Sequence, residues 1–259
     1  MRIKTVITGA FLCLPVITTN CQFSENPHRE VVVYTSVDAV FAQPIAERFE
    51  QETGIEVLLV PDTEETKSTG LLNRLIAEKE RSRADVFWSG DPLRAVILKL
   101  EHVSETYNSP LSEGLPLRFS DPENHWSGFS ARARILIYNR NLVPEGQEPS
   151  SVMDLLDPRF KGKVCIANPL FGTTSMHAAA LFSILGKEKA TAFFEEFIEN
   201  GGEILSSNGE VRRRVANGEF ALGITDTDDA NVAQLEGKPV GIVFPDKAGI
   251  GTLIIPNTV

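Results

Sequence analysis

The sequence is short of cysteine, of basic residues and of long apolar runs, and each shortage excludes a class of protein. Three cysteines occur among 259 residues. Cys13 is expected to leave with an amino-terminal signal peptide and Cys21 to be either removed or lipidated, so Cys165 has no expected partner and no disulfide framework is predicted. The net charge of -10 argues against nucleic acid as a partner, because its phosphates are bound through clustered Lys and Arg. The four histidines are scattered, and no Cys and His spacing resembles a zinc site. An acidic globular protein without structural zinc is therefore expected.

The one apolar run of note lies at the amino terminus and is typical of a signal peptide. Two basic residues precede the apolar stretch 6–17, which is too short to cross a bilayer as a permanent helix. Residues 1–21 are therefore predicted to direct export. Cys21 is interpreted as a lipidation cysteine, with an incidental cysteine beside the cleavage point as the alternative. Residues 22–29 are expected to form a tether, and the protein is expected in the periplasm or at the cell surface, with a lipid as its membrane contact.

From residue 30 onward, apolar segments of strand length alternate with segments of helical period. Segment 39–53 has apolar residues at helical spacing, ends at Gly54 and lies between apolar strands at 30–36 and 55–60. Further helices are predicted at 71–83, 92–100, 152–156, 175–185, 187–199, 210–217 and 231–235, and further strands at 84–88, 134–138, 164–167, 203–205, 220–225, 240–244 and 251–255. The alternation predicts an α/β fold of two lobes, each with a mainly parallel sheet flanked by helices.

The predicted lobes are divided at a strand pattern over residues 126–139, which is a candidate crossing strand of a hinge. The predicted lobe 1 comprises residues 30–130 plus 240–259, and lobe 2 comprises residues 131–239.

A glycine and three hydroxyl residues stand where a predicted strand gives way to a helix. Gly172, Thr173, Thr174 and Ser175 would present hydroxyls and free amides at the positive end of that helix. This favours an anion site, with an ordinary helix cap as the alternative, since a cap needs only one hydroxyl.

Two arginines and an asparagine are candidates for the same anion. Arg132 and Arg134 lie two apart in a strand, so both point to one face and either present a doubly positive surface or lie on a solvated face. Asn208 lies in a predicted loop and either adds a neutral hydrogen bond or forms part of a turn.

Acidic residues follow the apolar strand 220–225. Asp226, Asp228 and Asp229 lie at its carboxyl end, where α/β folds bind ligands. They would suit a metal ion or an ammonium group, or they cap and charge-complement the next helix.

Polar residues also follow two strands of the first half. Ser36 and Asp38 come after the first strand, and Asp91 comes after Trp88. Each is typical of a turn, but together they supply polar groups to one sheet edge.

Five segments, in this order, resemble the bacterial extracellular solute-binding proteins of ABC importers (family 1), most closely the ferric-iron-binding branch and its phosphonate-binding relatives. They are VVVYTS, ADVFWSGDP, SARARILIYN, DPRFKGKVCIANP and GITDTDDA. The resemblance implies a type II fold in which two lobes close on a solute, a monomer, and delivery to a permease with its ATPase. It also implies further carboxyl-terminal helices on lobe 1, without which an apolar face would be exposed.

The chain departs from the iron-binding members at the ligands. Asp228 and Asp229 stand at the adjacent tyrosines of those proteins, Asp38 stands at the histidine, and Gly90 stands at an acid, with Asp91 next to it. The positions that hold a synergistic anion or a phosphonate are matched by Gly172, Thr173, Thr174, Ser175, Arg132 and Asn208. The resemblance therefore implies a small charged solute, either iron or another metal with a bound anion, or a phosphonate or aminophosphonate.

An exported phosphatase of the haloacid-dehalogenase type is the alternative function. A strand followed by Asp226, Thr227 and Asp228 resembles the nucleophile and general acid of that class. Only about thirty residues follow this motif, too few for the rest of such a catalytic core. A binding protein without enzymatic activity is therefore preferred.

Overall fold

The structure is a computed structural model that describes residues 29–62, 69–247 and 251–259. The predicted signal peptide, Cys21 and residues 22–28 of the tether lie outside the described residues. The strands are β1 (Glu30–Thr35), β2 (Glu56–Pro61), β3 (Val86–Trp88), β4 (Gly128–Asn139), β5 (Val164–Ala167), β6 (Glu203–Leu205), β7 (Leu222–Asp226), β8 (Val240–Val243) and β9 (Ile254–Thr258). The helices are α1 (Ala39–Thr53), α2 (Thr69–Ala77), α3 (Pro92–Leu100), α4 (Gly172–Leu185), α5 (Lys187–Glu199), α6 (Asn208–Ala216) and α7 (Thr227–Leu235), and short 3-10 turns occur at Lys79–Arg81, Pro110–Ser112, Leu117–Phe119, Val152–Leu156 and Pro158–Phe160.

The smaller of two sheets has the order β2-β1-β3 with all strands parallel. Successive residues of β1 point to opposite faces, so Val33 packs with Ala42 of α1 and Trp88, whereas Tyr34 packs with Leu75 of α2 and Leu98. Helices therefore cover both faces, as a parallel sheet requires.

The larger sheet has the order β6-β5-β7-β4-β8, and β9 also pairs with β4. β5, β6 and β7 are parallel, whereas β4 is antiparallel to β7, β8 and β9. Apolar clusters lie on its two faces, one around Leu136 and Phe197 and the other around Ile135 and Val211. The α/β architecture is as predicted, and the larger sheet is mixed because one long strand runs against its neighbours.

The two sheets are connected through β4 and β9. Residues 128–133 of β4 pair with β9, residues from Arg134 onward pair with β7, and Thr258 of β9 forms a bridge with Ser89 just after β3. The hinge role of segment 126–139 and the lobe boundaries stay predictions. β8 belongs to the larger sheet, although its residues fall in the predicted lobe 1.

Four helices begin earlier than the sequence pattern predicts, and α2 is one of them, because it begins at Thr69 and not at residue 71. α4 begins at Gly172, so Gly172, Thr173, Thr174 and Ser175 form the first turn of the helix itself and not a turn before it. α6 begins at Asn208 with Ser207 as its cap, and α7 begins at Thr227. The predicted loop around Asn208 is thus helical.

The outer face of the smaller sheet's helices carries exposed apolar side chains, including Val40 and Ile45 of α1 and Leu93 and Leu100 of α3. None of the helices in the described ranges is both long and apolar enough to cross a bilayer.

Candidate functional site

A pocket lies where the carboxyl ends of strands from both sheets meet. The smaller sheet contributes residues that follow β1 and β3, and the larger sheet contributes residues that follow β5, β6 and β7. The predicted site residues that line it are Ser36, Asp38, Arg132, Gly172, Thr173, Thr174, Asn208, Asp226 and Asp229. Four predicted residues, Arg134, Ser175, Asp91 and Asp228, do not line it.

The first turn of α4 forms one wall of the pocket. Its cap residue, Phe171, offers no side-chain acceptor to the helix, and the first turn contains no acidic residue. The first N–H groups of a helix have no acceptor within the helix, and they carry the positive end of its dipole. Because Gly172, Thr173 and Thr174 line the pocket, this wall favours a negatively charged group.

Arg134 lies beneath the pocket in a buried network. It faces Asp226 across the β4–β7 pair, and its Nη1 donates to Asp226 Oδ1 at 2.8 Å and to Asn208 Oδ1 at 3.0 Å. The Thr173 hydroxyl donates to Asp226 Oδ2 at 2.6 Å, and the Thr174 hydroxyl accepts from Arg134 Nη2 at 3.3 Å. Both side chains of the Arg134–Asp226 pair are almost completely buried. The predicted doubly positive surface is therefore wrong, because Arg134 is buried against a carboxylate and only Arg132 reaches the pocket.

Asp226 is held in its charged form. Burial by itself would raise the pKa of Asp226, but the guanidinium groups of Arg134 and Arg132 outweigh burial and hold the pKa below its usual range. His177 of α4 lies near the same network, and burial together with the charge of Arg134 lowers its pKa to about 3. The imidazole is therefore neutral near pH 7.

Arg132 is the cationic side chain that lines the pocket. Its Nη1 lies 3.3 Å from Asp228 Oδ2 and 3.7 Å from Asp226 Oδ2, and its Nη2 donates to Asn257 Oδ1 at 2.6 Å. The Nε atom is buried and has no hydrogen-bond partner among the described residues.

Three acids lie together at the end of β7 and in the first turn of α7. One carboxylate oxygen from each of Asp226, Asp228 and Asp229 lies within 4.8 Å of the others. Oxygen ligands of this kind suit hard cations, but two arginines already contact the group. Burial is the main cause that raises the pKa of Asp228, and the attraction of Arg132 offsets it only in part.

The smaller sheet contributes a short polar wall. The Ser36 hydroxyl accepts a hydrogen bond from the Gly90 N–H at 3.0 Å, and Asp38 precedes α1 as its cap residue. None of the three tyrosines, Tyr34, Tyr107 and Tyr138, lines the pocket. No phenol oxygen therefore lines the pocket.

Residues 94–258 match the family model of the bacterial extracellular solute-binding proteins, which is more than half of the chain. The chain belongs to this family. It is 29% identical to iron uptake protein A1 of Synechocystis over 86% of the chain and 64% of that protein. It is also 28% identical to a Salmonella typhimurium protein provisionally named a 2-aminoethylphosphonate-binding periplasmic protein, over 82% of the chain and 60% of that protein.

A solved structure of a periplasmic binding protein superposes on this family member. The protein is AfuA of Actinobacillus pleuropneumoniae with exogenous fructose-6-phosphate bound, at a TM-score of 0.76 and 25% identity, covering 88% of this chain and 72% of that one. The chain spans less than two thirds of the length of the two curated relatives above.

Several lining residues of this solute-binding protein were not among the predicted site residues. They are Gly90, Ala167, Asn168, Phe171, Ser206 and Ser207. Ala167 is the last residue of β5 and Asn168 follows it, while Ser206 and Ser207 follow β6. Their position at or just after the carboxyl ends of apolar strands could have indicated them, because α/β folds bind ligands at those strand ends.

Ser175 and Asp91 have local partners instead of facing the pocket. The Ser175 hydroxyl donates to the Gly172 carbonyl at 2.8 Å. Asp91 caps α3, because its Oδ1 accepts from the Leu93 N–H at 3.0 Å, and its Oδ2 lies 3.1 Å from Arg94 Nε. Burial raises the pKa of Asp91 in spite of Arg94. The metal or cation role predicted for Asp91 therefore has no support from its position.

Asp91→Asn is expected to leave solute binding unchanged within about twofold, because the amide oxygen of Asn keeps the helix cap. Asp91→Ala removes the cap and is expected to lower the free energy of unfolding by about 1 kcal/mol, also without a change in affinity. Urea unfolding and solute titration of both variants check this. A loss of affinity in Asp91→Asn at unchanged stability would place Asp91 in the binding site after all.

Proposed function

We propose that this chain is the solute-binding component of an ABC importer and that it captures a small phosphorus oxyanion, of the phosphonate class, in the pocket between the two sheets. The observation that carries the proposal is the pairing of Arg132 with the first turn of α4 on the walls of one pocket. A guanidinium and a helix amino terminus are two general devices for binding tetrahedral oxyanions.

The pairing of two of the acids with arginines supports an anion in preference to a metal ion at those two carboxylates. Asp226 is neutralised by Arg134 at 2.8 Å, and Asp228 pairs with Arg132. A metal ion bound by these acids would have to displace both guanidinium groups, whereas an oxyanion adds an acceptor for Arg132. The hydroxyls of Thr173 and Thr174 form hydrogen bonds within the network. The first-turn N–H groups of α4 are therefore the donors of this wall that we expect to bind the solute.

The acidic side of the pocket supports an aminophosphonate within this class. Asp38 and Asp229 line the pocket together with Arg132, so one solute with an ammonium group and a phosphonate group would face charges of opposite sign at its two ends. The names of relatives point both to a phosphonate and to iron. Ferric iron with a bound anion is the second candidate, because three carboxylate oxygens lie within 4.8 Å of one another.

We infer that the solute is released unchanged to a permease and its ATPase, from a monomer in the periplasm or at the cell surface. The phosphatase alternative is disfavoured by the surroundings of Asp226. Its Oδ1 accepts from Arg134, and its Oδ2 accepts from Thr173 and Asn208, so neither oxygen is free to attack a phosphate ester.

Titration calorimetry tests the proposal with four probes: methylphosphonate, 2-aminoethylphosphonate, inorganic phosphate and ferric nitrilotriacetate. We expect binding at a ratio of one to one for the phosphonates, the aminophosphonate being the tighter, and no heat from the iron chelate. Binding of iron without binding of any phosphonate would contradict the proposal and favour the second candidate. Release of p-nitrophenol from p-nitrophenyl phosphate, abolished in Asp226→Asn, would instead support an enzyme.

A further inference from the structure

Gly90 has no conformational reason to be glycine. Its φ angle is not among the positive values of the chain, so its backbone is open to any L-residue. The constraint at position 90 is instead steric and comes from the side chain of Arg132. A Cβ atom built on Gly90 would overlap Arg132 Nη2 and would lie 3.2 Å from Arg132 Cζ, a tighter contact than most Cβ atoms make.

Arg132 is fixed in that space from two other directions. Asn257 of β9 accepts from Nη2 at 2.6 Å, and its own amide donates to Ser130 at 2.7 Å. Asp228 attracts Nη1 from the side of α7 at 3.3 Å. The guanidinium thus lies between the end of β3 in the smaller sheet and the acids that follow the larger sheet. It fits there because Gly90 has no Cβ atom.

We propose that Gly90 is a specificity-determining residue: by leaving room for the Arg132 guanidinium, it gives the pocket its preference for an oxyanion. This inference rests on the proposed function for the class of the solute. A side chain at position 90 would push the guanidinium away from the pocket and from Asp228, and the acids of α7 would then face the solute without their counter-charge.

A double-mutant cycle tests the pair. Gly90→Ala is expected to weaken methylphosphonate binding about tenfold in the wild-type background and to have no effect in an Arg132→Gln background, where no guanidinium is left to displace. The wild type, the two single variants and the double variant are also compared by their midpoints of thermal unfolding, a measurement that needs no solute. Gly90→Ala should lower the midpoint in the wild-type background and leave it unchanged beside Arg132→Gln.

Gly202→Ala serves as the matched control. The Cβ added there would overlap the ring of Phe197 and not Arg132, so its cost should be the same in both backgrounds. An equal cost of Gly90→Ala with and without the Arg132 guanidinium overturns the inference. Coupling in the unfolding cycle of a protein that binds no phosphonate overturns the proposed function and with it the class of the solute, while the contact between Gly90 and Arg132 stands.

Discussion

Arg134→Ala is expected to lower the free energy of unfolding by about 3–5 kcal/mol, the largest effect of any single substitution considered for this protein. The side chain of Arg134 is fully buried, and its removal leaves the Asp226 carboxylate buried without its guanidinium partner. The same substitution takes donors from Asn208, Thr173 and Thr174, which lie in the pocket wall. Urea unfolding followed by circular dichroism measures the change.

Two further variants separate the buried charge from the loss of packing. Arg134→Met combined with Asp226→Leu removes both charges and keeps most of the volume, so it should recover a large part of the lost stability. Arg48→Ala removes an exposed guanidinium paired with Glu52 on α1 and should not change stability measurably. If Arg134→Ala were as stable as Arg48→Ala, the network beneath the pocket would not organise the site.

Arg132→Gln is expected to weaken methylphosphonate binding by about 10- to 100-fold, the loss that follows when hydrogen bonds to a charged group are removed. Arg132 lines the pocket, so its guanidinium is expected to donate hydrogen bonds to the solute oxygens. The loss should be larger at low ionic strength, where the attraction between unlike charges is least screened.

Arg140→Gln is the control for that substitution. Arg140 follows the end of the same strand, β4, and is exposed, so the variant has the same change in net charge without a change in the pocket. Its affinity should equal that of the wild type. Equal affinities of the Arg132 and Arg140 variants would show that the guanidinium in the pocket does not contact the solute.

The sequence predicted the strands and α-helices of the described residues and their order, but the segment predicted as a helix at 152–156 is a 3-10 turn. α1 over 39–53 and β5 over 164–167 have the predicted bounds, because the hydrophobic period is clear and the segments end at strong signals such as Gly54. The starts of α4 and α6 were predicted three and two residues late. Glycine and hydroxyl residues are common both in turns and in first helical turns, so the pattern does not separate the two.

The candidate site was predictable in its members but not in its charge balance. Residues at the ends of different strands were expected to meet, and most of them do line one pocket. The neutralisation of Asp226 depends on Arg134 lying directly opposite it in the antiparallel β4–β7 pair. Such a register joins residues 92 positions apart and is not visible in the local pattern of either strand. The close approach of Gly90 and Arg132 also joins residues that are distant in the sequence, so it is not visible in the local pattern around either residue.

A crystal structure of the protein with methylphosphonate shows directly whether the pocket between the sheets binds an oxyanion. We expect the phosphonate in the pocket between the sheets, with its oxygens within hydrogen-bond distance of the Arg132 guanidinium and the first-turn amides of α4. A metal ion bound by Asp226, Asp228 and Asp229 with Arg132 displaced, or a phosphonate bound away from this pocket, would contradict it.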